Sequence, residues 1–221
     1  MSSLVKQLGE AFLETLMLTF IPLFFSVIFG TIIGILVFIT SSNGIIKSDN
    51  WFIRIVHNVA DFLINLFRSV PYMILLVWCI PLARALMGTM LGVKGAIPSL
   101  VVSATPFVAR MVVIAFTEVD KGTLEAAFAM GCSNMDVILK VLIPESMPAL
   151  ISCVTVTAIN LVSYSTMAGA IGAGGLGFAA YNDGFVRSNT LVLILSTLLI
   201  LLIVFAIQFV GDKASKAIDK R

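Results

Sequence analysis

The sequence predicts an all-α integral membrane protein with five transmembrane helices. Of its 221 residues, 59% are hydrophobic and only 12% are charged, and the mean hydropathy is +1.09. A soluble domain of this size carries about 25% charged residues, and no aqueous fold buries this much apolar surface. The runs 15–40 and 191–210 contain no charged residue and match the roughly 20 residues that a membrane-spanning helix needs.

Composition also narrows the function classes. The net charge is only +2, which gives no indication of a nucleic-acid partner. The three cysteines, Cys79, Cys132 and Cys153, have no metal-ligand spacing and lie in or beside apolar segments. We interpret them as small core residues rather than metal ligands or disulfide partners, so no metal site is predicted. Any histidine-dependent chemistry would have to use His57, the single histidine.

The first span is predicted over residues 15–40. This run follows Glu10 and Glu14, is longer than a signal-peptide core and precedes no small-residue cleavage site. We therefore predict a retained span rather than a secretory signal. Gly30 and Gly34 form a GxxxG pair within it, a spacing that allows two helices to approach closely but that also occurs without this role in glycine-rich membrane proteins.

The second span, predicted over residues 56–86, is interrupted by polar residues and prolines. Because their spacings are 3, 4 and 3, four polar residues share one helical face. These residues are Asn58, Asp61, Asn65 and Arg68. Charges inside a membrane are costly, so this face must look into protein, into a water-filled cavity or, if the helix end protrudes, into the cytoplasm. Pro71 and Pro81 predict kinks or breaks.

The remaining spans are predicted over residues 95–117, 146–167 and 191–210. Arg110 lies one to two turns from the far end of the third span, where snorkelling to the membrane surface would explain its charge. The fourth span passes into the glycine-rich sequence GAIGAGGLG, and the fifth precedes the basic tail DKASKAIDKR, which we expect to be solvated. With no internal repeat, residues 1–221 are predicted to form a single transmembrane domain.

Five spans place the two termini on opposite sides of the membrane, and the basic residues predict which side is which. With the C-terminus in the cytoplasm, eight basic residues lie inside and four lie outside, as the positive-inside tendency requires. The inside set is Lys47, Arg54, Lys121, Lys140, Lys213, Lys216, Lys220 and Arg221, and the outside set is Lys6, Arg84, Lys94 and Arg187. The N-terminus is therefore predicted outside, and residues 118–141 are predicted in the cytoplasm.

The stretch 118–145 between the third and fourth spans predicts two short helices joined by a turn. Thr123 is suited to cap the first helix, and Glu125 would then lie in its first turn, where a carboxylate favours the positive end of the helix dipole. Gly131 allows the left-handed conformation that ends helices. Ser133, with Asp136 three residues later, predicts the start of the second helix.

The second short helix is predicted to carry one apolar side and to end before the fourth span. The apolar stripe consists of Met135, Ile138, Leu139 and Leu142. Pro144 is predicted to close this helix. Ala126, Ala127 and Ala129 keep one side of the first helix small, so this helix is suited to fit into a groove of a partner protein. The sequence therefore predicts a rigid helix-turn-helix presented to the cytoplasm.

This stretch resembles the EAA loop of ABC-importer permeases, in which EAA is followed by three residues, a glycine, nine residues and I-x-L-P. The matching positions here are Glu125, Ala126, Ala127, Gly131, Val141, Ile143 and Pro144. Valine and isoleucine replace isoleucine and leucine at two of them, and both changes are conservative. The resemblance implies the type I ABC-importer permease fold, with five transmembrane helices and a cytoplasmic coupling helix-turn-helix.

The resemblance also implies partners and a role without covalent chemistry. The loop would dock on an ATP-hydrolysing subunit present in two copies, so ATP and Mg²⁺ would be bound by that subunit and no cofactor by this chain. A second copy of the chain would complete the translocation pathway in the inner membrane, and an external binding protein or lipoprotein would deliver a small-molecule substrate. The chain itself would not be an enzyme.

Three further stretches and the C-terminus are similar to the methionine-uptake branch of this family. The stretches are FRSVPYMILLVWCIPLAR (67–84), TPFVARMV (105–112) and SYSTMAGAIGAGGLG (163–177), and the ending is GDKASKAIDKR. The resemblance implies methionine as the substrate, in its L form and also its D form. Another amino acid or a quaternary-amine osmoprotectant remains the alternative, because GAGGLG and RSVP-like strings also occur in those branches.

The end of the fourth span is the candidate translocation path. Its residues are Ser163, Tyr164, Ser165, Met167 and Gly169. In the methionine-uptake branch the matching methionine helps to close the pathway, so the resemblance implies Met167 as a gate. The alternative is that this flexible side chain only fills a gap in packing. Neither this stretch nor the rest of the chain resembles a tight, charged amino-acid site.

Two other function classes fit the sequence less well. An ion-coupled secondary transporter is expected to show internal repeats, broken helices in both halves and carboxylates at mid-membrane. This chain offers only Asp61 as such an acid. An intramembrane hydrolase needs a nucleophile and a base, and His57 has no Gly-x-Ser-x-Gly sequence to pair with.

Overall fold

The structure, a computed structural model, describes residues 2–41 and 51–219, and all regular elements within them are helical. This confirms the all-α class. Most of the predicted loop 41–49, and the counted basic residues Lys47, Lys220 and Arg221, lie outside the described residues. The α-helices are α1 (Ser2–Thr40), α2 (Trp51–Ser69), α3 (Tyr72–Trp78), α4 (Ile80–Met87), α5 (Gly92–Thr117), α6 (Lys121–Ala129), α7 (Asn134–Asp136), α8 (Ile143–Ala170), α9 (Gly175–Phe178) and α10 (Thr190–Ile218), with two π-helices, π1 (Val137–Leu142) and π2 (Ala179–Val186).

Four described helical stretches are long and apolar enough to cross a membrane. They are Leu4–Thr40, Gly92–Thr117, Asn134–Ala170 and Thr190–Ile218. The broken pair α2 and α3 makes a fifth if it is taken as one span. The helices extend beyond the lengths predicted from hydropathy at several ends, because helical hydrogen bonding continues into polar residues that hydropathy does not count. Most of the basic tail is helical, since α10 continues to Ile218, and its described residues are mostly exposed, as expected of a solvated tail.

Helix α1 packs along α5 through its GxxxG pair. A Cβ atom added to Gly30 would lie 2.6 Å from Val108 Cβ, and one added to Gly34 would lie 2.7 Å from Val112 Cβ. Real Cβ atoms do not approach this closely, so both positions need glycine. The spacing is therefore a packing device here.

The second span is sharply broken at the predicted proline. Helices α2 and α3 meet at an angle of 108° on either side of Val70–Pro71. A second interruption at Cys79 separates α3 from α4, whose first turn holds Pro81. Both prolines thus lie where a helix begins, which is where the missing N–H group costs least.

Helix α8 is the central element of the bundle. Leu161 is fully buried against Leu18 of α1 and Leu100 of α5. Val162, one residue further on, packs in a second cluster with Val192 and Ile203 of α10. Three long helices therefore surround α8 and leave one side of it open.

The glycine-rich sequence after α8 forms a tight turn that α1 holds in place. Gly172, Gly174 and Gly175 have positive φ angles of 99°, 86° and 78°. At the start of α9, the Gly175 N–H donates to Glu14 Oε2 at 2.7 Å and the Leu176 N–H donates to Thr15 Oγ1 at 2.8 Å. Side chains of α1 thus accept hydrogen bonds that the first turn of α9 cannot make within itself.

Candidate coupling segment and translocation face

The first helix of the segment 118–145, α6, begins earlier than the sequence predicted. Asp120 is its N-cap and accepts a hydrogen bond from the Gly122 N–H at 3.2 Å. The prediction of Thr123 as the cap was therefore wrong, and Glu125 lies in the second turn rather than the first. Aspartate is at least as good a cap as threonine, and starting at Asp120 adds nearly a full turn of helix.

The turn after α6 has the geometry that Gly131 predicts. Gly131 has a φ angle of +84°. Its N–H donates to Phe128 O at 2.9 Å, and the Cys132 N–H donates to Ala127 O at 3.2 Å. These two bonds form a Schellman motif, which fixes the direction in which the chain leaves α6.

Ser133 caps the next helix as predicted. Its hydroxyl oxygen accepts from the Asp136 N–H at 3.2 Å, and its hydroxyl donates to Asp136 Oδ2 at 2.5 Å. Asp136 also pairs with Lys140, with 2.6 Å between Oδ1 and Nζ. The exposed pair lies one turn apart on the same helix and adds only modest stability.

Pro144 does not end this helix, so that prediction was wrong. The chain continues from α7 through π1 into α8 without a break, and Pro144 lies in the first turn of α8. The π-helix Val137–Leu142 ends two residues before the proline. Its wider turns displace the carbonyl groups that a proline ring would meet in a regular α-helix. The segment is therefore rigidly continuous with the central helix α8.

The segment exposes a mixed apolar surface at one end of the bundle. Ile138 and Leu142 of the predicted stripe are buried, whereas Met135 and Leu139 are more than half exposed. Met130 is 78% exposed, the largest value among the large apolar side chains in the described residues. Glu125, Ala126, Val141, Ile143 and Pro144 also retain exposed surface, and Ala127 is buried. Such a patch is typical of a protein-docking surface.

The candidate path residues of α8 divide between two sides of the helix. Ser163 is exposed and Met167 is 46% exposed on the open side, together with Val156 and Ile171. Ser165 is buried and donates to Val162 O at 2.8 Å.

Gly169 and Tyr164 are packed against the chain itself. A Cβ on Gly169 would lie 2.5 Å from the Phe178 N atom, so this glycine permits a close approach of α9 to α8. The Tyr164 ring stacks on the Tyr72 ring of α3, with 4.8 Å between their centroids. In this conformation Ser163 and Met167 are thus the candidates that reach the open side.

The polar face of α2 contains an ion pair that sequence reasoning missed. Arg110 Nη1 of α5 donates to Asp61 Oδ1 at 3.1 Å, and Asn65 Nδ2 donates to Asp61 Oδ2 at 3.0 Å. Asn58 and Arg68 are exposed on the same face. Arg110, for which snorkelling was one explanation, turns toward α2 and pairs with Asp61. The spacing of residues within one helix carries no signal for such a pair between two helices.

None of these groups forms a metal centre. Among the described residues, no three histidine, cysteine, aspartate or glutamate side chains lie close enough together to hold a metal ion.

Comparison with known families gives a match over most of the chain. Residues 42–221 match the family described as the binding-protein-dependent transport system inner membrane component.

Three relatives named as methionine or D-methionine permeases are 40–48% identical to this chain over the aligned residues. The methionine import system permease protein MetP of Bacillus subtilis (strain 168) is 48% identical over 84% of this chain and 82% of its own length. The probable D-methionine transport system permease protein MetI of Pasteurella multocida is 40% identical over 96% of each chain. The D-methionine transport system permease protein MetI of Escherichia coli (strain K12) is 42% identical over 71% of this chain and 70% of its own.

Solved structures agree with these relatives. An inward-facing conformation of the MetNI methionine ABC transporter has a TM-score of 0.94 and 39% identity, and the match covers 100% of both chains. An amino acid ABC transporter crystallised with histidines has a TM-score of 0.64 and 20% identity, which supports the fold alone.

Proposed function

The chain belongs to the binding-protein-dependent transport system inner membrane component family, and we propose that it is the permease subunit of an ATP-driven methionine importer. The observation that carries this proposal is the full-length match to a MetNI transporter chain at 39% identity and a TM-score of 0.94. Relatives named as methionine or D-methionine permeases support the same substrate. The L and D forms are both proposed as cargo.

The proposed mechanism is alternating access without covalent chemistry in this chain. Two copies form the pathway across a two-fold axis, which is the commonest symmetry of dimers. Two ATPase subunits bind ATP and Mg²⁺ and move together, and a binding protein delivers the substrate from outside. Because α7, π1 and α8 are continuous, a push on the coupling segment would be transmitted directly to the central helix.

The residues proposed to contact or position the ATPase subunit are those of the EAA-like pattern. Glu125 and Ala126 are exposed and would make the contact, while Ala127 is buried on the side of α6 that faces the rest of the chain. Gly131 sets the turn, and Val141, Ile143 and Pro144 lie where π1 passes into α8. Each of these positions thus either faces the partner or determines the direction of the segment.

Met167 and Ser163 are proposed to line the path, with Met167 as a gate. Both are exposed on the open side of α8, and a methionine side chain is flexible enough to close a narrow pore. Tyr164, Ser165 and Gly169 are proposed to support the path from behind, because they pack against α3, against α8 itself and against α9.

The proposed orientation places the N-terminus outside and the C-terminus in the cytoplasm. Lys121, Lys140, Lys213 and Lys216 then lie on the inner side with the coupling segment. The Asp183–Arg187 pair, 3.1 Å apart, would lie on the outer side.

Uptake of labelled methionine tests the proposed substrate. The permease, with its cognate ATPase subunit and binding protein, would be placed in a host that lacks its own methionine importers. Excess unlabelled L- or D-methionine should abolish uptake, and glycine betaine should not. If the assembled complex hydrolyses ATP but takes up betaine or another amino acid instead, the substrate proposal fails and the importer proposal stands.

Reversing the charge of Glu125 tests the coupling role. Glu125→Lys should leave insertion in the membrane intact but lower uptake by about tenfold, because one charged contact with the ATPase subunit is replaced by repulsion. Glu10→Lys, an exposed glutamate near the start of α1, is the matched control and should transport normally. Wild-type uptake by Glu125→Lys would remove this residue from the coupling surface.

A further inference from the structure

A charged pair joins α2 and α5 within the predicted membrane spans. In the described residues, both of its side chains have hydrogen-bonding positions that are not in use. Arg110 Nη1 donates to Asp61 Oδ1 at 3.1 Å, and Asn65 donates to the other oxygen of the same carboxylate. The two charged side chains are 37% and 35% exposed. A guanidinium has five N–H donors and a carboxylate accepts about four hydrogen bonds, so the bonds in the described part of the chain leave several positions unused. Both groups can therefore take a further ligand.

The pair faces the open side of the bundle. On α5, Val108 and Val112 pack against the glycines of α1, while Arg110 lies with Ser103, Phe107 and Ile114 at spacings of 4, 3 and 4. The first three of these are half-buried and Ile114 is exposed. This row of α5 lies between the sides that contact α2 and α8.

The row on α5 continues onto the open side of α8. There Ser163 and Met167 are exposed, and Asn160 is half-buried at the margin. Phe116 of α5 packs with Cys153 of α8, so the two helices are direct neighbours. The polar residues of α2, α5 and α8 therefore lie on the same side of the bundle, away from α1, and α3 packs between α5 and α8 at the outer end through Tyr72. A charged surface of this kind is costly against lipid, which favours a second copy and a water-filled path in front of it.

The pair lies toward the end of the bundle that carries the coupling segment. Arg110 is seven residues before the end of α5 at Thr117, or roughly 10 Å along the helix axis. Met167 lies near the opposite end of α8, three residues before Ala170. A substrate that passes Met167 from outside would thus meet Asp61 and Arg110 later, in the inner half of the path.

We propose that Asp61 and Arg110 form a transient contact site for a zwitterionic amino acid in the inner half of the path. This inference rests on the proposed function. The α-carboxylate of the substrate would pair with the Arg110 guanidinium, whose planar fork suits a carboxylate, and the α-ammonium would pair with Asp61. The substrate's charged groups replace the existing contact between Asp61 and Arg110, so both binding and release at this site have a small free-energy cost.

The test compares uptake in single and double variants of the complete importer. Permease, ATPase subunit and binding protein are reconstituted in proteoliposomes, and methionine uptake and binding-protein-stimulated ATP hydrolysis are measured together. Arg110→Gln removes one charge, and Asp61→Asn with Arg110→Gln removes both while leaving no unpaired charge. Arg54→Gln, on the exposed surface of α2, is the matched control and should behave like the wild type.

The proposal predicts that uptake falls about tenfold in both the single and the double variant, the size of one lost charge-assisted hydrogen bond, while ATP hydrolysis stays within about twofold. Arg110→Lys keeps the ion pair but lacks the planar fork, so it should assemble and show a fall of a few-fold. Three results would each show that the pair only holds α2 to α5. They are wild-type uptake in the double variant, normal uptake in Arg110→Lys, and equal loss of uptake and ATP hydrolysis. Absence of methionine uptake by the wild-type complex would instead overturn the proposed function.

Discussion

Thr15 shows how one side chain connects two distant parts of the chain. Its hydroxyl donates to Ala11 O at 2.9 Å within α1 and accepts from the Leu176 N–H at 2.8 Å at the start of α9. The side chain is only 2% exposed, so water cannot replace it. Thr15 thereby helps to hold the glycine-rich turn after α8 in one conformation.

Thr15→Val should destabilise the protein because it leaves the Leu176 N–H without an acceptor. A buried unsatisfied donor costs about 1–3 kcal/mol. At roughly 2–4 °C per kcal/mol for a chain of this length, the melting temperature of the purified complex should fall by several degrees.

Thr19→Val is the control for this change. Thr19 is equally buried, but in the described residues its hydroxyl only donates to Thr15 O within the same helix. Its replacement removes the donor without stranding a distant group, so the fall in melting temperature should be clearly smaller. Equal losses in the two variants would mean that the hydrogen bond to α9 contributes nothing.

At the residue scale, the sequence predicted well the conformations that depend on local backbone chemistry. It predicted less well which of several nearby residues takes a given role. Gly131 and Ser133 behave as predicted, because a positive φ angle and a capping hydroxyl depend on nearby backbone alone. Thr123 was predicted as the cap, whereas Asp120 is the residue that caps α6, and either side chain is suited to that role. Which of them does so depends on where α5 ends and on the burial of Ala127, and neither is written in the local sequence.

At the scale of elements, the contact between α1 and α5 depends on two glycines, Gly30 and Gly34, which have no side chains to keep the helices apart. A Cβ on Gly34 would lie 2.8 Å from Ala109 O as well as 2.7 Å from Val112 Cβ. A backbone carbonyl within a helix cannot turn aside, so a larger residue must push the whole helix away. The long α1 would then lose its fit along α5.

Gly34→Leu should therefore lower the melting temperature of the complex, since overpacking a tight site costs about 1–3 kcal/mol or more. Gly9→Leu is the matched control in the same helix, because no atom beyond its chain neighbours and the adjacent helix backbone lies within 4 Å of the position of its Cβ. There the change should be neutral or slightly stabilising, as leucine favours helices more than glycine does. A comparable fall in both variants would show that the glycine spacing has no packing role.

Prolines illustrate why element boundaries were only partly predictable. Pro71 marks a 108° break, as expected, whereas Pro144 lies inside a continuous helical stretch. The difference is the π-helix before Pro144, which changes the backbone register that the proline meets. No pattern of single residues in the sequence announces that π-helix.

At the scale of the whole molecule, the chain exposes surfaces that suit lipid and, under the proposed function, other subunits. Large apolar side chains are exposed on α1, α2 and α10, as expected for helices that face lipid, and polar side chains are exposed on α2 and α8. The Asp61–Arg110 pair could not be predicted because it joins residues 49 positions apart. The proposed path likewise depends on a surface that the proposed second copy would complete.

The opposite placement of the two termini is the whole-molecule prediction, and it can be tested by cysteine labelling. Cys79, Cys132 and Cys153 are free thiols and would first be replaced by alanine or serine. Single cysteines would then be placed at the exposed positions Lys6 and Lys216. In right-side-out membrane vesicles, a membrane-impermeant maleimide should label Lys6→Cys and spare Lys216→Cys until the membrane is permeabilised.

This outcome follows from the charges as well as from the helices. Lys213 and Lys216 lie at the end of α10 next to the coupling segment, since Ser215 donates to Pro148 O at 3.1 Å, and Lys6 lies at the far end of α1. Basic residues near the ends of spans are retained on the cytoplasmic side. Labelling of Lys216→Cys but not of Lys6→Cys in sealed vesicles would reverse the orientation, and the coupling segment would then face away from ATP. Labelling of both positions would contradict the parallel packing of α1 along α5, which places Lys6 and Lys216 at opposite ends of the bundle.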